Sequence, residues 1–275
     1  MIQLDNFSFS YGGKRSLYEN LNLRFQQGNI YGLLGKNGVG KSSLMRNMCG
    51  LLFPTAGKCE TLNFQAKDRL PEMLQNLFFL AEEIALPPVK IQDFLANHAH
   101  FYANFEEEQF LKYLDEFGIS WKENLAEISY GQQKKVAISF GLATNAQVIL
   151  MDEPTNGLDI PSKAIFRKIM ASAIHENRLM IISTHQVQDL DNLIDAITII
   201  ENRQVLVHET LENLSKKYAF KIVNQVEDSD KILYAENAIK GSRAMVENTD
   251  FEDTKVDLEM LFNAVIANPN KFITN

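Results

Sequence analysis

The 275 residues predict an α/β fold. A sheet core is entered through an N-terminal antiparallel β subdomain, carries an inserted helical subdomain, and is followed by a small C-terminal α/β appendage. Three observations predict this. Alternating apolar and polar residues open the chain, as on strands with one buried face. Short apolar runs recur at Ile30–Leu34, Leu77–Leu80, Val148–Met151, Leu179–Ile182 and Ala196–Ile200. Between them, from about Ile84 to Glu127, the apolar spacing is helical.

Taken in order, Ile2, Leu4, Phe7 and Phe9 alternate with Gln3, Asp5 and Ser8, which predicts a strand closed by a turn at Tyr11-Gly12-Gly13. Leu21, Leu23 and Phe25 predict a second strand, and Gln26-Gln27-Gly28-Asn29 a hairpin turn into the third. That third strand runs into Gly35-Lys36-Asn37-Gly38-Val39-Gly40-Lys41-Ser42, with a helix expected over Ser43–Met48. The segment fits Gly-x-x-x-x-Gly-Lys-Ser, the phosphate-binding loop. Its glycines allow backbone conformations that a β-carbon forbids. Successive N–H groups can then curl around phosphate oxygens, and the helix adds its positive end. In such a loop Lys41 reaches the β- and γ-phosphates and Ser42 holds Mg²⁺. The core is thus a phosphate-loop NTPase core.

Pro54-Thr55-Ala56-Gly57 reads as another turn, and Leu77–Leu80 as a short strand ending at Ala81-Glu82-Glu83. Pro87-Pro88 interrupts the chain before the helical region. There Phe110, Leu111, Leu114 and Phe117 share a helix face, with Glu106-Glu107-Glu108 in the first turn, where negative charge is favourable. Val205–Val207 pairs back on Ala196–Ile200. Beyond Lys217, strands are expected over Phe220–Val226, Lys231–Tyr234 and Ala244–Glu247, and a helix over Asp257–Ile266 with Leu258, Leu261, Phe262 and Val265 on one side. The expected division is 1–217 for the nucleotide-binding domain, with the helical subdomain at about 84–144, and 218–275 for the appendage.

The net charge of −8 argues against a general nucleic-acid binder, which needs a basic face. Cys49 and Cys59 lack metal-ligand spacing and read as buried, reduced thiols. Met1–Asp5 has neither the basic nor the apolar region of a leader, and no run approaches the length of a membrane-spanning helix. Any service to a membrane therefore runs through a partner.

Two further stations carry chemistry. The strand Val148–Met151 ends in Asp152 and Glu153. Behind a phosphate loop, an Asp there helps hold Mg²⁺, and Glu153 could orient or deprotonate a water attacking the γ-phosphate. Ser129-Tyr130-Gly131-Gln132 precedes a second helix, with Ser129 as N-cap, making a second anion-binding helix start or a simple capped one.

Phosphate loop, Ser-x-Gly-Gln before a helix, Asp-Glu-Pro at a strand end, Asn156-Gly157-Leu158-Asp159 and Ser183-Thr184-His185 follow in one order. Over about residues 2–210 the chain resembles the ATP-binding-cassette (ABC) ATPases. The resemblance implies two cassettes facing head to tail, with ATP trapped between them. It implies that Gly35, Asn37, Gly38, Gly40 and Lys41 cradle the phosphates, that Ser43 touches the α-phosphate, and that Tyr11 stacks on adenine. Ser129, Gly131 and Gln132 would approach the γ-phosphate across the interface, and Asp159 would lie in the loop that communicates between sites. Glu153 would be the catalytic carboxylate, His185 the switch histidine and Asp152 a Mg²⁺ ligand. The resemblance also implies a separate membrane-spanning subunit, a homodimer or a dimer with a related cassette, and a place on the cytoplasmic face of the membrane. The short acidic helical subdomain and the appendage are more similar to exporter-type subunits.

Two residues depart from the pattern. Tyr130 stands where the family writes the first of two glycines, and Glu82 where it writes a glutamine that reaches Mg²⁺. Glu82 keeps a hard oxygen ligand and adds charge. A soluble ABC ATPase acting on ribosomes or chromosomes is the alternative. Such relatives carry two cassettes or long coiled coils, and this chain has one cassette and no heptad run.

Overall fold

The computed structural model describes residues 1–12, 16–223, 232–237, 241–249 and 252–272. In chain order the strands and helices are β1 (Ile2–Phe9), β2 (Tyr18–Phe25), β3 (Asn29–Leu34), α1 (Lys41–Met48), β4 (Ala56–Thr61), β5 (Phe64–Gln65), α2 (Pro71–Leu74), β6 (Leu77–Leu80), α3 (Ile91–His98), α4 (Glu107–Glu116), α5 (Tyr130–Ala143), β7 (Val148–Asp152), α6 (Ile160–Ala173), β8 (Leu179–Thr184), β9 (Ala196–Glu201), β10 (Gln204–Thr210), α7 (Leu211–Lys217), β11 (Tyr218–Val223), β12 (Ile232–Asn237), β13 (Ser242–Glu247) and α8 (Leu258–Ala267).

Three sheets result. The first is antiparallel, in the order β2-β1-β4-β5. The second runs β10-β9-β3-β8-β7-β6, and the third β11-β13-β12. In the second, β9, β3, β8, β7 and β6 are parallel and β10 closes the edge antiparallel to β9. A parallel sheet covered on both faces needs apolar residues at successive positions. Accordingly, Tyr31, Leu33, Val148, Leu150, Leu179 and Ile181 face one core, with α1 and the antiparallel sheet. Their neighbours Ile30, Leu34, Ile149, Met151, Met180 and Ile182 face the other, with α3 to α6.

The turn at Gln26–Asn29 is not a hairpin. β2 stays in the antiparallel sheet, while β3 pairs with β8 and β9. The Gly28 N–H donates to the Arg178 carbonyl at 2.7 Å, which fixes the crossing between sheets. The expected turn at Pro54–Gly57 runs straight into β4, whose Cys59 pairs opposite Leu4. Gly13 of the expected first turn, Asn224–Val226 and Lys231 lie outside the described residues.

In the helical region Phe110, Leu114 and Phe117 are buried as expected, and Tyr113 joins them. In the C-terminal segment Leu258, Leu261 and Val265 of α8 are buried, with Asp257 as N-cap. Met245, Val256, Leu261 and Val265 share one apolar cluster with Ile182 and Leu190 of the core. Cys49 and Cys59 are free and buried, and burial pushes the Cys59 thiol up to about 12. Among the described residues no helix is long and apolar enough to cross a membrane.

Candidate functional site

The parallel strands deliver their C-terminal ends to one edge of the sheet, where ligands of open α/β sheets bind. β3 leads into the loop Gly35–Gly40, β7 into Asp152-Glu153, β8 into His185 and β6 into Glu82. α1 starts at Lys41 behind Gly40, whose φ of +107° no other residue takes readily. A β-carbon at Gly40 would also stand 2.7 Å from the Tyr18 hydroxyl. No side chain caps α1, so its first N–H groups stay available to an anion.

A cleft of about 560 Å³ lies over this edge. It is lined by Asn37, Gly38, Gly40, Lys41, Ser42 and Ser43 of the loop and helix start, and by Tyr11, Leu17, Glu82, Glu153 and His185. Lys41 is buried, and its ammonium donates to the carbonyls of Gly35 at 2.8 Å and Lys36 at 3.4 Å. Glu153 Oε1 lies 3.9 Å from that ammonium and 2.9 Å from His185 Nδ1. Burial pulls the Lys41 ammonium below its usual range, while Glu153, Asp152 and Glu82 pull it back up. Asp152 is buried at the strand end and accepts a hydrogen bond from the Ser183 hydroxyl, which in turn accepts the Glu153 N–H at 3.1 Å. Tyr11 is 43 % exposed, and its hydroxyl lies 3.0 Å from the Ser43 hydroxyl. Phe9 meets its ring edge-to-face, with centroids 4.9 Å apart.

Asp152 Oδ2 and Glu153 Oε2 are buried without a partner. Carboxylate oxygens left in that way suit an arriving cation or proton. Among the described residues no group of three or more His, Cys, Asp and Glu side chains is gathered for a metal ion. A Mg²⁺ ion typically takes one or two carboxylates, a hydroxyl and phosphate oxygens. Ser42, Asp152 and the phosphate cradle fit that pattern.

Gly35, Asp152, Ser129, Gly131, Gln132 and Asp159 do not line this cleft, Gly35 and Asp152 lying at the strand ends behind it. Ser129 caps α5 and is exposed. Its hydroxyl accepts the Gln132 N–H at 3.3 Å and its own N–H donates to Gln132 Oε1 at 2.9 Å, a complete capping box. Asp159 caps α6, accepting the Ser162 N–H at 2.8 Å, and the Ser162 hydroxyl together with that N–H holds its carboxyl below the usual range. Ser183 has no role in the sequence pattern, and its hydroxyl ties the Asp152 carboxylate to the Glu153 N–H. Lys134 gave no signal in the sequence.

Fold and cleft together define a phosphate-loop nucleotide-binding protein. A sequence profile described as ABC transporter matches residues 18–156. The chain is 27 % identical to the bacitracin transport ATP-binding protein BcrA of Bacillus licheniformis over 84 % of this chain and 76 % of that one. It is 27 % identical to the lantibiotic transport ATP-binding protein SrtF of Streptococcus pyogenes over 79 % and 96 %. A solved ATP-binding subunit of an ABC transporter superposes with a TM-score of 0.70 at 21 % identity, over 78 % of this chain and 91 % of that one, a likeness of fold. The chain belongs to the ABC transporter family as its nucleotide-binding component, an ATPase coupled to transport.

Proposed function

We propose that the protein works as one half of a two-protomer ATPase. The phosphate loop of one protomer and Ser129, Gly131 and Gln132 of the other hold each ATP. One observation carries this reading. The cleft gathers Lys41, Glu153, His185, Glu82 and Tyr11, while the second helix start lies outside it, with Ser129 exposed and Gly131 and Gln132 half-buried. A γ-phosphate gripped from both sides needs a second copy or a related cassette.

In this reading Tyr11 offers a ring face to adenine, and Ser43, already bonded to Tyr11, meets the α-phosphate. Asn37, Gly38 and Gly40 wrap the phosphates, and Lys41 neutralises their β/γ end. Gly35 holds Lys41 through its carbonyl. Ser42, Asp152 and Glu82 supply oxygen ligands for Mg²⁺, which would neutralise phosphate charge when bound. Glu153 orients the attacking water and takes its proton at Oε2. His185 fixes Oε1 and faces the γ-phosphate end. Asp159, two residues beyond the exposed Gly157, reports between the two sites. The division into residues 1–217 and 218–275 assigns this chemistry to the first part.

The bacitracin and lantibiotic relatives favour an exporter-type system and a membrane-spanning partner, which would hold this chain at the cytoplasmic face. We assign that partner's contact to an apolar groove of about 850 Å³ lined by Leu51, Leu74, Phe78, Ile84 and Phe101. Leu51 and Phe101 stand exposed there. Ala81, Glu83 and Ile84 of its wall flank Glu82, so a segment seated in the groove touches the loop that enters the cleft.

Steady-state phosphate release with a Mg²⁺ titration tests the site. The parent turns over ATP only with Mg²⁺. Glu82→Ala slows it and raises the Mg²⁺ requirement, whereas Glu82→Gln keeps much of the rate. A Glu82→Ala protein that titrates like the parent removes Glu82 from the metal site.

A further inference from the structure

Gln132-Gln133-Lys134-Lys135 is a polar run that winds round the first turns of α5. Lys135 is only half-buried, with its ammonium 5.9 Å from the centre of the Phe117 ring. Lys134 is fully buried, and among the described residues its ammonium makes no ion pair. Its partners are two main-chain carbonyls, that of Glu153 at 2.8 Å and that of Glu82 at 3.3 Å. Burial pulls this ammonium down, and Glu82, Glu153 and Asp152 pull it back up. An ammonium held in the interior by carbonyls alone is costly, and a neutral side chain would fill the same space at lower cost.

One turn earlier, on the same helix face, Tyr130 reaches the same carbonyl. Its hydroxyl donates to Glu82 O at 2.9 Å and accepts the Ile84 N–H at 3.4 Å. Its ring lies 3.7 Å from where a β-carbon at Gly157 would stand. α5 runs so close to that loop that a β-carbon at Gly131 would lie 2.8 Å from the Gly157 carbonyl. Asn156 closes the junction by donating to Glu82 Oε1 at 3.3 Å. A glycine at position 130, as the resembled pattern has it, could make none of the tyrosine's contacts.

Glu82 and Glu153 thus face two ways. Their residues line the cleft, and their carbonyls are gripped from behind by α5. We infer that Tyr130 and Lys134 are positioning residues for ATP hydrolysis, a two-point clamp that sets the main chain of both acids. Lys134 also places one positive charge behind three carboxylates, which offsets part of their mutual repulsion. The clamp sits on the helix that the exposed Ser129 caps. This inference rests on the site reading given above.

Three variants test it: Tyr130→Phe, which removes one hydroxyl from a side chain 45 % exposed; Lys134→Gln, which keeps a neutral donor; and Lys134→Met, which keeps neither donor nor charge. Residues that orient metal-site ligands typically cost about 10- to 100-fold when removed. Lys134→Met should lower kcat by about that factor, with binding of a fluorescent ATP analogue in the absence of Mg²⁺ unchanged. Lys134→Gln should recover part of the loss. Tyr130→Phe should raise the Mn²⁺ concentration that half-saturates the ATP complex, read by electron paramagnetic resonance, by about two- to tenfold, the worth of one hydrogen bond. Should Lys134→Met fail to fold, the other two variants decide. Parental kcat in Lys134→Gln together with parental Mn²⁺ binding in Tyr130→Phe overturns the clamp. A parent without Mg²⁺-dependent turnover overturns the site reading beneath it.

Discussion

Two helix starts in this chain are finished differently. α1 begins at a glycine with no side-chain cap, at the floor of a cleft that also gathers Lys41, Glu153 and His185. α5 begins at Ser129 with a complete capping box, outside that cleft. The first leaves its N–H groups for an incoming phosphate. The second engages the N–H groups of Ser129 and Gln132 in its capping box and presents Ser129 outward. One phosphate cradle is therefore complete in a single protomer, and the other feature is finished as a surface, which is what a site shared between two protomers requires.

The contrast can be broken at either end. Lys41→Ala removes the ammonium from the first, and should cost about 10²–10³ in kcat, the scale of a lost electrostatic contact to developing charge. Phosphate release under saturating Mg²⁺ and ATP reads this. Tyr11→Ala acts at the far end of the same cleft. Stacking of a base on an aromatic ring is worth about 1–3 kcal/mol, so the KM for ATP should rise by about 5- to 150-fold. The kcat should hold, since Tyr11 touches no reacting atom. Ser129→Ala acts on the second start. It should cost about 1 kcal/mol of stability through the lost cap, seen as a lowered thermal midpoint, and leave monomeric ATP affinity intact. Weakened ATP binding in monomeric Ser129→Ala would place that helix start in its own protomer's site and erase the contrast.

Much of the edge that carries the cleft was legible because its residues are contiguous. Gly35–Ser42, Asp152-Glu153 and Ser183–His185 each stand at the end of an apolar strand that announces itself. β4 was not legible. Its Ala56, Gly57 and Lys58 are exposed, and only Cys59 and Thr61 turn inward, so no alternation marks it. Its identity as a strand comes from pairing with β1, a contact far along the chain. The crossing at Gly28 was misread for the same reason, since the strands on either side of a hairpin and of a sheet-to-sheet crossing have the same local pattern. Lys134 was the largest omission at the site. A lysine in a Gln-Gln-Lys-Lys run looks solvated, and only the approach of the Glu82 and Glu153 backbones makes it an interior group.

The shared site is the central claim, and one measurement reaches it directly. Glu153→Gln keeps the side chain's shape and removes its charge and basicity, so turnover should slow by about 10²–10⁴, the worth of a general base. ATP should then persist at the interface. Size-exclusion chromatography with light scattering, run with and without ATP, should find Glu153→Gln monomeric alone and dimeric with ATP. Adding Ser129→Arg should return it to monomer while ATP binding persists. A Glu153→Gln protein that binds ATP tightly and remains monomeric would contradict the account.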